Sequence, residues 1–195
     1  LCNNSFQVYQ GNLPPLDPPQ NLTGKSLPGG KISLSWNGVA GAAGYQLYRQ
    51  ALGESDLEAY RALGIVSEFL DTPLSDGLYS YAVASVRHEN GQEAISAVSN
   101  VVKVASDSIP PGSPKNLVME LTGSGIRARW DASPDTEPVA YSLYRSSLPE
   151  IVSVQGMVPI LTRISTTTAV DAHPSHTDHA YVVTAVDNAG NESLP

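Results

Sequence analysis

Apolar and polar positions alternate with a period of two along most of this chain. Ile32, Leu34 and Trp36 fall on one face of a stretch whose other face is Lys31, Ser33 and Ser35. Ile126, Ala128 and Trp130 repeat the pattern, with Arg127 and Arg129 outward. Tyr45 with Leu47, Tyr141 with Leu143, and Leu117 with Met119 and Leu121 alternate in the same way. Period two over short runs rich in β-branched and aromatic residues predicts strands buried on one face only. Stretches rich in Gly, Pro, Asn and Asp at 27–30, 88–92, 132–138 and 187–191 supply the turns between them. Strands with one wet face fit an antiparallel sandwich. Residues 54–64, with Leu57, Tyr60, Ala62 and Leu63 at mixed spacing, read as an irregular edge strand, a short helical turn being the alternative.

The pattern is written twice. "PPQNLTG" at 18–24 matches "SPKNLVM" at 113–119, and "KISLSW" at 31–36 matches "GIRARW" at 125–130. "YQLYR" at 45–49 matches "YSLYR" at 141–145, "VSEFLD" at 66–71 matches "TTTAVD" at 166–171, and "YAVASV" at 81–86 matches "YVVTAV" at 181–186. Five blocks in one order, at offsets of 94 to 100 residues, are an internal duplication. The copies differ in their connections: "SSLPEIVSVQGMVP" at 146–159 has no likeness to the stretch it replaces. They differ also after the last shared block. The first copy goes on to "AISAVSNVVKV" at 94–104, read as a last strand, whereas Gly190 is followed by "NESLP". A sandwich lacking its seventh strand exposes an open edge. The expectation is that the chain continues past Pro195 or that another segment fills the gap.

The ordered blocks resemble a tandem pair of fibronectin type III domains. The family's marks are an opening Pro-x-x-Leu, a Trp in the second strand, a Tyr-x-Leu-Tyr third strand and a Tyr-rich sixth strand. Here these read as Pro19 to Leu22, Trp36, Tyr45 to Tyr48 and Tyr79 to Val83, and again as Pro114 to Leu117, Trp130, Tyr141 to Tyr144 and His179 to Val183. The likeness covers roughly residues 17–195 and looks most like bacterial extracellular and envelope members. It implies an all-β chain of two immunoglobulin-like antiparallel sandwiches, the second without its last strand in this sequence. The implied organisation is an extension or linker at 1–16, a first domain at 17–106, a Pro-rich linker at 107–113 and a second domain at 114–195. It further implies that Trp36 faces Tyr45 and Trp130 faces Tyr141 across sheets about 10 Å apart, with Tyr79 and Tyr181 in the two cores. His179 stands where the first copy has the corner tyrosine Tyr79. An imidazole can charge near pH 6.5, so the second domain is expected to weaken in mild acid if His179 is buried.

Composition narrows the class of job. Only 15% of the 195 residues are charged, Lys and Arg number 11, and the net charge is −8. A nucleic-acid partner needs a basic footprint, and no Lys/Arg cluster is present. No apolar run approaches the ~20 residues of a membrane span, so direct membrane insertion is not expected. A single cysteine, Cys2, excludes an internal disulfide. It reads as a free or intermolecularly paired thiol, with lipidation as the alternative. The low charge and the wealth of Ser, Thr, Asn, Gly and Pro suit a protein outside the cytoplasm, at the cell surface or in the envelope.

Candidate chemistry is thin. "HPSHTDH" gathers His173, His176, Asp178 and His179, residue types that ligate metals. The stretch aligns with an ordinary connecting loop of the first copy, so adventitious binding is the expectation and no cofactor is assigned. "DNAGNES" at 187–193 lacks the acidic spacing of a calcium loop and reads as a turn. No nucleophile sits in an activating setting, and catalysis is not expected. "SFQVYQ" in residues 1–12 places Phe6 and Val8 on one face and could donate a strand to a neighbour's open edge, linking copies head to tail. The expected role is a structural or protein-binding module: a spacer, stalk or adhesion segment. The alternatives are a filament subunit joined by that strand donation and an accessory region of a secreted carbohydrate-active enzyme.

Overall fold

A computed structural model describes residues 12–51, 53–137, 139–174 and 178–195. These residues hold fourteen strands and no helix. The backbone groups into two compact units, one including Ile32–Thr72 and Gly77–Ala105, the other including Ser106–Pro195.

The first unit contains β1 (Gln20–Leu27), β2 (Lys31–Asn37), β3 (Gly44–Ala51), β4 (Glu58–Leu63), β5 (Glu68–Asp71), β6 (Gly77–Glu89), β7 (Gln92–Ile95) and β8 (Val102–Ser106). One sheet has the order β1-β2-β5; the other runs β4-β3-β6-β7, with β8 also on β6. The alternation read in the sequence is the packing: Ile32, Leu34 and Trp36 project from one sheet, Tyr45, Leu47, Tyr81 and Val83 from the other, and together they form the core. Residues 54–64 do contain an edge strand, β4, whose register slips by one residue opposite Leu47 and Tyr48. The slip is a bulge, and bulges re-aim side chains.

The expected last strand at 94–104 is broken into two. β7 pairs with β6 from Val86 to Glu89, then Ser96 and Ser99 continue the edge through their hydroxyls. Ser96 Oγ accepts the Ser85 amide at 2.9 Å and Ser99 Oγ accepts the Val83 amide at 3.1 Å. Their own amides donate to the Ser85 and Val83 carbonyls. A serine hydroxyl competes with backbone carbonyls for such donors, so the ladder is replaced locally by side-chain bonds. Asn100 then holds Leu22 by both backbone groups, accepting its amide at 3.0 Å and donating to its carbonyl at 2.9 Å.

The Pro-rich stretch before β1 packs on the same unit. Ser85 Oγ donates to the Asp17 carbonyl at 2.9 Å, Arg87 donates to the Pro14 carbonyl at 3.3 Å, and Pro19 is fully buried.

The second unit contains β9 (Lys115–Thr122), β10 (Gly125–Asp131), β11 (Ala140–Ser146), β12 (Leu161–Ile164), β13 (Thr168–Asp171) and β14 (Ala180–Val186). Its sheets run β9-β10-β13 and β12-β11-β14 around Ala128, Trp130, Tyr141, Leu143, Val183 and Ala185. Among the described residues no strand follows β14. Its edge is met only at its end: Val186 bridges Glu192, and Ser193 exchanges two bonds with Ala185, as Ser96 does with Ser85. Tyr144 and Thr184 both donate to Glu192 Oε1 and pin this short return. Burial pushes the Tyr144 hydroxyl up to about 12, helped by the Glu192 carboxylate.

Backbone detail repeats too. Asn21 and Asn116, at matching places in β1 and β9, have φ of 58° and 54°. Asn is among the few side chains at ease in that left-handed region.

Candidate functional site

The aromatic pairs meet as expected. Trp36 and Tyr45 have ring centroids 5.5 Å apart at 65°, and Trp130 and Tyr141 stand 5.5 Å apart at 67°. Edge-to-face geometry is the preferred one. Each tyrosine also ties down the loop that follows its tryptophan. Tyr45 Oη accepts the Val39 amide at 2.8 Å, and Tyr141 Oη accepts the Ser133 amide at 3.1 Å. Tyr79 is buried in the first core, while Tyr181 is only partly buried against the second.

The densest polar chemistry is a network absent from the sequence reading. Asp71 ends β5 and is 2% exposed. Its Oδ2 accepts from Tyr81 Oη at 2.7 Å and Arg49 at 3.1 Å; its Oδ1 accepts from Tyr60 Oη at 2.8 Å and the Thr72 amide at 2.9 Å. The bulge in β4 turns Tyr60 inward to reach it, and the Arg49 guanidinium lies 3.7 Å over the Tyr60 ring. Burial, then the bond to Asp71, raises the Tyr81 hydroxyl well above the usual phenol range and raises that of Tyr60 as well. A buried charge persists when paired and fully hydrogen-bonded.

The second unit rebuilds the network from Asp171, Arg145 and Tyr181. Asp171 Oδ2 accepts from Arg145 at 2.6 Å and from Tyr181 Oη at 2.9 Å. Its Oδ1 accepts the His173 amide at 3.2 Å. Burial acts to raise this carboxyl, but the bonds from Tyr181 and Arg145 outweigh it and hold Asp171 below the usual carboxylate range. The Asp and Arg positions were in the matched blocks, "FLD" with "AVD" and "LYR" twice. What hid the network is that strand alternation alone does not say which charged residue turns inward at a sheet end.

His173 contributes to this network by its backbone and lines the cleft beside Asp171. His179 is half-buried as a residue, with its Nδ1 shielded from solvent; its ring meets Tyr181 edge-on at 6.3 Å, and it lines a different cleft with Leu148 and Pro149. His176 lies outside the described residues, as do the candidate donors Phe6 and Val8. Among the described residues no three His, Cys, Asp or Glu side chains converge on a point that could hold a metal. The described residues hold no helix, and so none long and apolar enough to cross a membrane.

No family model and no curated protein matches this sequence. Solved structures do. The FN1–FN3 domains of chicken CNTN1 superpose with a TM-score of 0.70 at 13% identity, over 94% of this chain and 66% of that one. This chain therefore spans just under two thirds of that structure. A two-domain fibronectin type III segment of chicken tenascin (16% identity, 92% of this chain and 96% of that one, TM-score 0.36) and a Fn3-like protein from Clostridium thermocellum (21%, 49% and 98%, TM-score 0.40) also match. The fold is all-β, built from tandem fibronectin III-type, immunoglobulin-like sandwiches.

Proposed function

We propose that this chain is a non-catalytic structural and protein-binding module that serves outside the cytoplasm or at the cell surface as a spacer, stalk or adhesion segment. The connection between β11 and β12 carries the reading. The two copies keep one aromatic pair and one buried carboxylate network each, and differ most here. The first copy joins its third and fourth strands through residues 52–57, in which Glu54, Ser55 and Asp56 are exposed and Leu57 is half-buried. The second exposes Leu148, Val152 and Val158 by 65%, 80% and 84%, on a segment anchored by the buried Ile151. Apolar side chains held in water on an anchored segment are stabilised when a partner covers them. The scarcity of Lys and Arg supports the extracytoplasmic placement.

Changing Leu148, Val152 and Val158 together to Ser tests it. The fold should survive, read by circular dichroism, while proteins retained by the immobilised wild-type chain are lost. Retention of the same proteins by wild type and variant would remove the basis for this surface.

The edge of β14 favours a second reading. Ser99 covers β6 at Val83, whereas Val183 meets no partner on that edge among the described residues. Tyr181 and Val182 are half-buried where Tyr81 and Ala82 are buried. In this reading residues 1–12 of a second copy, presenting Phe6 and Val8, lie along the edge and link copies head to tail. Light scattering on the chain with and without residues 1–12 decides it: large species that become monomers on trimming support it, and monomers in both samples overturn it.

A further inference from the structure

The two buried carboxylates are not covered alike. In the first sandwich Tyr60 closes over Asp71, with its hydroxyl on Oδ1 and its ring beneath Arg49. Strand register identifies its counterpart. Leu47 pairs with Arg61, and Leu143, the matching residue of β11, pairs with Leu161. Counted from these two pairs, Ile160, the residue just before β12, corresponds to Tyr60, although the register of β12 slips between Tyr141 and Leu143 and that of β4 at Tyr60 itself. Isoleucine lacks both the ring and the hydroxyl, and a cleft of about 290 Å³ remains, lined by Arg145, Leu161, Val170, Asp171 and His173 as well as Ile160.

The cleft keeps the contacts that Tyr60 uses in the first copy. Asp71 Oδ1 accepts a backbone amide and the phenol together. Asp171 Oδ1 accepts the His173 amide, and a carboxylate oxygen has a second lone pair for a hydroxyl donor. The Arg145 guanidinium is fixed by Asp171 and by the His173 carbonyl at 3.0 Å, yet its side chain is 24% exposed, so it offers a positioned cation to a ring. Ile160, Leu161 and Val170 supply apolar walls. The carboxylate selects a neutral donor and repels a phosphate.

We propose that this cleft in the second sandwich binds an unmodified tyrosyl side chain of a partner polypeptide, its ring against Arg145 and its hydroxyl on Asp171 Oδ1. The proposal deepens the protein-binding reading and rests on it for its meaning in the cell. The two fail separately, because the serine variants test the β11–β12 surface and the following experiment tests the cleft.

The ¹⁵N-labelled chain is titrated with N-acetyl-L-tyrosinamide and, in parallel, with N-acetyl-L-phenylalaninamide. Amide shifts are expected at Arg145, Leu161 and Asp171 to His173, with the phenyl analogue binding about tenfold more weakly for want of the charged-acceptor hydrogen bond. Ile160→Tyr should fill the cleft from within, raise the melting temperature of the second sandwich and erase the shifts. Three results would each overturn the proposal: no shifts at those amides up to the ligand's solubility limit, equal affinity for the two amides, or shifts that persist in a folded Ile160→Tyr chain. The comparison of the two amides on the wild-type chain needs no variant to fold.

Discussion

Tyr81 Oη donates to Asp71 Oδ2 at 2.7 Å inside the first sandwich, where Tyr81 is fully buried and Asp71 is 2% exposed. One residue belongs to β6 and the other to β5, so the bond joins the two sheets at the end of the core. A hydrogen bond to a buried charge contributes about 1.5–3 kcal/mol, and its loss leaves the charge under-solvated. Tyr81→Phe should therefore destabilise the first unit by that amount in a denaturant titration. Tyr181→Phe should cost the second unit less, about 1 kcal/mol, because Tyr181 is only partly buried and water can replace the hydroxyl. Equal losses in the two units would mean that burial does not set the strength of this bond.

The second copy should carry an acid limit. Asp171 is held below the ordinary carboxylate range by Tyr181 and Arg145 against the opposing effect of burial. A depressed folded value means that the unfolded chain binds a proton first as pH falls. The stabilisation is complete above the unfolded value, about 4, and is lost as pH drops through the folded one. Melting of the second unit followed from pH 7 to pH 2 should fall below about pH 4. Asp171→Asn should be less stable at pH 7 and show a flatter profile below pH 4. A variant profile parallel to wild type would place the acid sensitivity elsewhere.

Strand identity was legible because each strand buries one face, and alternation reports that face directly. Trp36 with Tyr45 and Trp130 with Tyr141 were legible through the family resemblance of the matched blocks, which implies that these aromatics face each other across the two sheets. Three features were not. Ser96 and Ser99 interrupt the last strand of the first copy because a hydroxyl can stand in for a carbonyl, and alternation does not register hydrogen-bond partners. Arg49, Asp71 and Tyr60 read as polar or irregular positions, although together they form a network around a buried carboxylate. The cleft at Ile160 became visible only through the register of β12 on β11, which the unlike sequences of the two connections concealed.

Asn21 and Asn116 give a local test of backbone strain. Both have positive φ, and Asn116 also donates from Nδ2 to Asp131 Oδ2 at 2.7 Å. Asn21→Gly should be close to neutral, whereas a β-branched Asn21→Val should cost about 1–2 kcal/mol, since left-handed backbone is unfavourable for such side chains. Thermal melting of the two variants decides between strain and side-chain bonding: equal losses would point to the amide, not the backbone.

Gly24 and Val104 supply the sharpest test of how the two cores differ. A Cβ built on Gly24 would lie 2.3 Å from Val104 Cγ2 and 3.2 Å from Leu34 Cδ2. In the second copy the matching cross-strand pair is Met119 with Ala128, so bulk has moved from β2's counterpart to β1's. Met119 packs over the small Ala128, where the first copy sets Leu34 beside a glycine and seats Val104 above it. Overpacking a filled core costs about 1–3 kcal/mol. Gly24→Ala should destabilise the first unit by that much, and Val104→Ala should do so alone by opening a cavity. Combined, the two should cost less than their sum, because the alanine Cβ enters the space the valine leaves. A double-mutant cycle reads this as a coupling of at least about 0.5 kcal/mol. Strict additivity would mean that β1 shifts to accommodate the new methyl without pressing on β8, and the exchange of bulk between the copies would then be coincidental to their last strands.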